Sequence, residues 1–325
     1  MKARAKHVTA DVVGAPTWIS AEQIYDTMTF PDAVKILEQT LLDGYDPETD
    51  GERTRHSSSS GLLLQMPSAT DDWCGTKLVT VRSSEQAVDL PVIQGVYMLF
   101  EGKTLRPVAT LEGAGLTALR TPAVTALSIR HLVSSTSGRV TLFGAGVQAA
   151  AHVKALMAVY NPTAIDVVSR DQGRAQRLAE EIREHGIASS VARSDVVAEA
   201  DVILCCTNSS APLFDGNLVQ NHAVVAAIGS HDSHSREVDT TLVQRSSVVI
   251  ESLDSAMREA GDLVIPQKAG DFHWDRAATM RDVITGTASI EFDRPRLFKG
   301  TGMPWQDLAL AASIYETTVE GTVVG

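Results

Sequence analysis

The spacing of apolar and polar positions changes period several times along the chain, and each change marks a new kind of element. Residues 17–46 read as two helices, one around Ala21-Glu-Gln-Ile-Tyr and one from Pro31, in which Val34, Ile36, Leu37 and Leu41 recur at helical spacing. The polar stretch from Pro47 to Ser60 reads as loop. From Gly61 the period becomes that of strands, over Leu62-Leu-Leu-Gln-Met, Thr76 to Arg82, Val92 to Phe100 and Pro107 to Leu111. Strands in succession with no helix between them predict an antiparallel sheet and a β-rich unit of its own. Lys77 falls on the face of Val79 and Val81, either as an edge lysine whose stem covers apolar surface or as a buried functional cation. Leu116 to Leu132 is helical in period. Proline is tolerated only in a first helical turn, so the regular helix is expected to begin at Pro122, with Thr121 as N-cap and Arg120 at its mouth.

From Gly138 strands and helices alternate. Strands at 140–143, 164–168, near 189–192, at 201–206, 223–228 and 248–251 are interleaved with helices to about Tyr160, across 172–185 and near 196–199. That order predicts an α/β fold with a Rossmann-type doubly wound parallel sheet, beside a smaller α+β unit. Leu253 to Glu259, an irregular stretch, Ala288 to Phe292 and Leu297 to Met303 then lead to a last helix from Trp305 to about Thr318. The expected division is 1–118, rejoined by a helix over 303–325, and 119–302.

The most informative stretch is Val140-Thr-Leu-Phe-Gly144-Ala-Gly146-Val-Gln-Ala149. A buried strand that stops on two glycines and continues as a helix lets backbone N–H groups and the positive end of the helix dipole meet a pyrophosphate. The pattern alone also fits an ordinary strand–turn–helix, so its surroundings decide. The next strand ends at Ser169 and Arg170, where a ribose-reading carboxylate is expected roughly 20 residues past the glycines in an NAD site. A hydroxyl, Arg170 and, one turn on, Arg174 suit a 2′-phosphate instead, because guanidinium forks match phosphate oxygens. NADPH is therefore expected over NADH. Thr207 to Ser210 and Gly229-Ser-His-Asp232 put polar clusters at the carboxyl ends of further strands, where doubly wound folds bind ligands.

At 325 residues the chain is long enough for two domains, and 44% hydrophobic with 21% charged residues is the balance of a globular protein. A formal net charge of −12 without a basic stripe argues against nucleic acid or an anionic membrane as partner. Lys2, Arg4 and Lys6 have no apolar run behind them, and no window approaches a membrane span, so a cytoplasmic location is expected. Cys74, Cys205 and Cys206 read as reduced thiols, and no histidine spacing predicts a metal site.

These stretches together resemble the ornithine cyclodeaminase/mu-crystallin family. The resemblance rests on Met66-Pro67 with Lys77 after it, Leu116-Thr-Ala-Leu-Arg-Thr, Phe143-Gly-Ala-Gly-Val-Gln-Ala, Gly229-Ser-His with Arg236-Glu-Val-Asp239, and Phe298-Lys-Gly-Thr-Gly-Met. It implies that Lys77, Arg120 and an arginine of the first domain, Arg53 or its neighbour Arg55, hold a substrate α-carboxylate. It further implies that Val147 and Gln148 meet the pyrophosphate, and that Thr121 and Thr207 lie beside the cofactor with Ile228. Gly300 and Thr301 are implied at the nicotinamide end. A homodimer through the first domain is implied as well, with the last helix returning to that domain.

Two positions depart from the family's ornithine cyclodeaminases, which carry an aspartate where this chain has His231 and a glutamate where it has Leu64. Both carboxylates would serve an amine substrate. The expected reaction is therefore NADPH-dependent reduction of a cyclic imine carboxylate, such as Δ1-pyrroline-2-carboxylate or a related ketimine, to an L-amino acid. Lys77 and His231 are the catalytic candidates, the histidine as proton donor to the imine nitrogen. Ornithine cyclodeamination, alanine dehydrogenation and non-enzymatic NADPH-dependent ligand binding of the mu-crystallin type are the alternatives; an aromatic content of 5% makes a poor lining for the last.

Overall fold

A computed structural model describes residues 14–83 and 90–323, without the side chains of 320–323; the basic residues at 2, 4 and 6 lie outside it. Two short helices, α1 (Ala21–Thr27) and α2 (Phe30–Leu42), follow strand β1 (Thr17–Ile19). Each opens on a capping box, Ser20 with Gln23 and Thr29 with Asp32, which satisfies two otherwise orphaned N–H groups at once. Strands β2 (Thr54–Ser58), β3 (Gly61–Ala69), β4 (Trp73–Arg82), β5 (Ile93–Glu101) and β6 (Pro107–Glu112) then form an antiparallel meander.

The first sheet has the order β1-β6-β5-β4-β3-β2 and is mixed, because β1 pairs with β6 in parallel. The sequence predicted neither β1 nor β2. β2 is Thr-Arg-His-Ser-Ser, exposed throughout, so no apolar period marks it; its hydrogen bonds to β3 make it a strand.

Helix α3 (Gly113–Leu132) corrects a second expectation. It begins nine residues before Pro122, with Glu112 as N-cap accepting from the N–H groups of Ala114 and Gly115, and the proline sits inside it. Thr121 is thus a mid-helix residue, and the expected division after 118 falls within this helix. α3 packs on α1, α2 and β5 on one side and on α4 (Val147–Leu156) on the other, which ties the two halves together.

The second sheet contains β7 (Ser137–Phe143), β8 (Asn161–Val168), β9 (Ala188–Val191), β10 (Val202–Cys205), β11 (Val224–Ala227), β12 (Ser247–Ile250), β13 (Ala277–Thr279) and β14 (Arg296–Lys299). All pairings are parallel, in the order β13-β12-β14-β11-β10-β7-β8-β9. β10, β11 and β14 are buried along their whole length, as strands covered on both faces must be; β10 and β11 read as apolar runs with no alternation, whereas β14 carries the buried Arg296 and Lys299. The covering helices include α4, α5 (Gln172–Glu184), α6 (Thr240–Arg245), α7 (Leu253–Glu259), α8 (Gly261–Ala269) and α9 (Met280–Thr285). The stretch near 196–199 is a 3-10 turn over Ser194–Glu199. The last helix, α10 (Pro304–Val323), returns to the first sheet and packs on β3, β4 and α3. Among the described residues no helix is long and apolar enough to cross a membrane, and no cluster of three or more histidine, cysteine or acidic side chains could hold a metal.

Candidate active site

A cavity of about 990 Å³ opens between the sheets and runs from the carboxyl ends of β7 and β8 to the face of β3 and β4. At one end lies the glycine turn. Gly144 has φ +107°, and a Cβ there would stand 2.5 Å from the Cys206 carbonyl oxygen, so only glycine lets β7 turn this close to the end of β10. Gly146 caps α4 without any side-chain hydrogen bond, and a Cβ on it would meet open space. The first N–H groups of α4 are therefore left to the cavity.

Val147 is 76% exposed at that mouth, while the buried Gln148 Oε1 and Thr121 Oγ1 have no hydrogen-bond partner. Free donors at a helix start, an uncovered apolar side chain and two orphaned acceptors fit a dinucleotide. Ser169, Arg170 and Arg174 line the far end, with Arg193 and Ser194, which the sequence reading missed. Arg174 and Arg193 each rest on an aspartate of this chain, Asp171 and Asp195, at 3.3 and 2.6 Å.

Thr207, Ile228 and Gly300 line the middle of the cavity. The ends of β10 and β11 are fixed there by Glu237, which accepts from the Thr207 N–H and hydroxyl at 2.8 and 2.7 Å and from the Gly229 N–H at 2.7 Å. Burial pushes this carboxyl up to about 7, opposed by the Lys299 ammonium. Lys299 itself is clamped by Asp262 at 2.8 Å and the Ser230 carbonyl at 2.6 Å.

At the other end Lys77 and Arg120 meet on one carboxylate. Lys77, 1% exposed, donates through Nζ to both oxygens of Asp307 at 3.0 and 2.8 Å and to the Thr117 hydroxyl at 3.1 Å. Arg120 Nε lies 3.6 Å from the same Asp307, and Nη1 donates to Gln306 Oε1 at 3.1 Å. Gln306 in turn donates to Glu251 at 2.6 Å, and Glu251 accepts from the N–H groups of Thr301 and Gly302 at 2.6 and 2.7 Å. Gly302 has φ +81°, and a Cβ would reach Arg120 Nη1 at 2.6 Å, so glycine is what leaves the guanidinium room.

Arg53, rather than Arg55, faces the cavity. Its Nη2 donates to the carbonyls of Thr301 and Gly302 at 3.0 and 2.8 Å, and Nη1 pairs with Glu259 at 3.1 Å. Arg55 stands further out, 3.5 Å from Glu259 and bonded to the His231 carbonyl at 2.9 Å. Burial and the neighbouring Arg120 pull the Lys77 ammonium down to about 7, against the upward pull of Asp307.

His231 lines the cavity as expected, yet its surroundings work against a proton donor. Loss of water around the ring and the cations Arg53, Arg55 and Lys299 hold it below the ordinary histidine value, opposed by a Gly229 carbonyl at 3.3 Å. These surroundings favour the uncharged ring. The sequence reading also missed Asp307, Gln306, Glu251 and Glu259. The one available signal was Gln306-Asp307 between Trp305 and Leu308, two polar residues in the first turn of an apolar helix.

A doubly wound sheet whose glycine turn opens on a cleft faced by buried cations, Lys77 from the first sheet, Arg120 from α3 and Arg53 from the loop before β2, is an arrangement suited to a nicotinamide-dependent enzyme acting on an anionic substrate. The chain belongs to the ornithine cyclodeaminase/mu-crystallin family, whose model matches residues 39–322. It is 30% identical over 312 residues to Delta(1)-pyrroline-2-carboxylate reductase of Colwellia psychrerythraea, covering 92% of this chain and 98% of that one. It is 26% identical over 317 residues to ketimine reductase mu-crystallin of Mus musculus, covering 94% and 99%. The structure of Thermococcus litoralis Delta(1)-pyrroline-2-carboxylate reductase, in complex with NADH and L-proline, superposes with a TM-score of 0.88 over 94% of this chain and 98% of that one, at 24% identity. That likeness is one of fold.

Proposed function

We propose that this chain reduces the C=N bond of a cyclic imine bearing a carboxylate, such as Δ1-pyrroline-2-carboxylate, to the L-amino acid, using NADPH. The observation that carries the reading is the meeting of Lys77 and Arg120 on Asp307 at the end of a dinucleotide cleft. Lys77, Arg120 and Arg53 would hold the carboxylate, and Thr301 lies against Arg53 at the same end. Three cations from separate stretches fix the α-carbon in one place, and such fixation supplies a large part of a rate enhancement.

The bound reduced nicotinamide supplies the hydride. Gly300 and Ile228 would flank it, and Thr121, Thr207 and the turn from Gly144 to Gln148 would hold the rest of the dinucleotide. His231, uncharged, would accept the N–H of an iminium that arrives already protonated. Leu64 is buried in the cavity wall opposite Val79, where an amine substrate would need a carboxylate, which favours reduction over cyclodeamination. Arg170, Arg174 and Arg193 favour the 2′-phosphate.

The outer face of the first sheet supports a homodimer: Leu63, Leu78, Val96 and Met98 are part-exposed there, while alternate residues of β3 to β5 are buried. Light scattering is expected to read twice the chain mass; the mass of one chain would remove that part.

The test of the reaction is oxidation of NADPH by Δ1-pyrroline-2-carboxylate with no ammonia added. The expected result is turnover, with at least a tenfold lower kcat/KM for NADH and most of that preference lost in R170S/R193S. A requirement for ammonia plus a 2-oxo acid, or ammonia release from ornithine, would overturn the reading.

A further inference from the structure

Beyond the cations, the cavity wall at the first sheet is apolar. Strand alternation puts Lys77, Val79 and Val81 on one face of β4, and the cross-strand pairs Leu64–Val79 and Val81–Ile93 widen that row into a strip. All of these side chains line the cavity. Leu64 and Val79 are 6% exposed, whereas Ile93, at the outer end, is 47% exposed. From Lys77 to Val81 the strip runs about 13 Å, at about 3.3 Å per residue, well past a five-membered ring held by its carboxylate.

The cations at this end would hold the α-carboxylate, and each is set against a carboxylate of this chain. Lys77 and Arg120 face Asp307, Arg53 and Arg55 face Glu259, and Glu251 binds two backbone N–H groups and Gln306. Among the described residues the strip offers no further cation to a second carboxylate and no carboxylate to an amine.

We infer that Leu64, Val79, Val81 and Ile93 form a subsite for an apolar arm on the substrate, so that the chain takes carboxylate-bearing imines larger and more hydrophobic than a pyrroline ring and rejects a second charged group. The inference rests on the imine reading above and adds to it the substrate class. Burial of one or two methyl groups separates substrates by about tenfold or more, whereas burying an unpaired carboxylate costs far more.

The experiment compares three imines with the full-length protein and NADPH: Δ1-pyrroline-2-carboxylate, the imine of 8-methyl-2-oxononanoate with methylamine, whose branched arm is long enough to reach the outer end of the strip, and the imine of oxaloacetate with ammonia. The expected kcat/KM for the branched imine is within tenfold of that for the pyrroline, and that for the oxaloacetate imine at least a hundredfold lower. V81S and I93S, at part-exposed positions, are each expected to lower kcat/KM for the branched imine about tenfold and for the pyrroline less than threefold. Turnover of the pyrroline without the branched imine overturns the subsite alone. Equal loss of both substrates in V81S and I93S, or an oxaloacetate imine as good as the branched one, does so as well. Failure of all three imines overturns the reductase reading and the subsite with it.

Discussion

Asp307 holds the cationic end of the cavity together. It is fully buried, and without it Lys77 and Arg120 would be two buried like charges side by side. Lys77 must be protonated to hold an anionic substrate. Because burial lowers its pKa to about 7, that protonated form is full at acid pH and is lost as pH rises through the folded value. Removing Asp307 removes an upward pull, so the alkaline limb of kcat/KM should move to lower pH by about one unit or more in D307N and return in D307E. An unchanged limb in D307N would show that the carboxylate only packs. Position alone leaves Lys77 open between an edge lysine and a functional cation and sets Arg120 at a helix mouth, where α3 instead runs on through it; the family resemblance is what singles both out. Their counter-ion was not legible: Lys77 and Asp307 are 230 positions apart, and no local pattern records a partner at that distance.

At the scale of elements, strong periodicity read correctly and exceptions to it did not. β3 to β6 and the alternating units from β7 to β11 follow the sequence expectation closely, since their side chains repeat at a period of two or form continuous apolar runs. β2, exposed on both faces, carries no such signal, and α9 lies in a stretch that read as irregular. The start of α3 was hidden because Gly113-Ala-Gly115 looks like loop, whereas Glu112 supplies the cap that starts a helix there.

One element joins the two halves of the site from outside. α7, whose N-cap is Ser252, is held further by Glu48 of the first unit, which accepts from the Leu253 N–H at 2.5 Å, the Ser252 hydroxyl at 2.9 Å and the Asp254 N–H at 3.2 Å. The far end of α7 carries Glu259, the partner of Arg53. E48A is therefore expected to lower stability by about 1 kcal/mol, as loss of a helix cap does, and to raise KM for the imine more than it lowers kcat. Urea unfolding and steady-state kinetics on the same preparation check both. Unchanged KM with lowered stability would separate the Glu48 contact from the site.

On the whole molecule, the net charge of −12 and the cationic cavity end pull in opposite directions. The acidic surface is the solvent's concern, while Lys77, Arg120 and Arg53 are withdrawn from it and each is set against a carboxylate of this chain. The division of labour between sheets follows from their topology: parallel strands end in loops suited to a dinucleotide, and the antiparallel face offers a wall on which charge and apolar surface can be placed side by side. Reduction requires those two surfaces to meet around one ligand. A crystal structure of the protein with NADP⁺ and L-proline tests this most directly. The expected result puts the proline carboxylate within hydrogen-bond distance of both Lys77 and Arg120, with its α-carbon over the nicotinamide ring; a carboxylate bound elsewhere, with Lys77 and Arg120 still closed on Asp307, would contradict it.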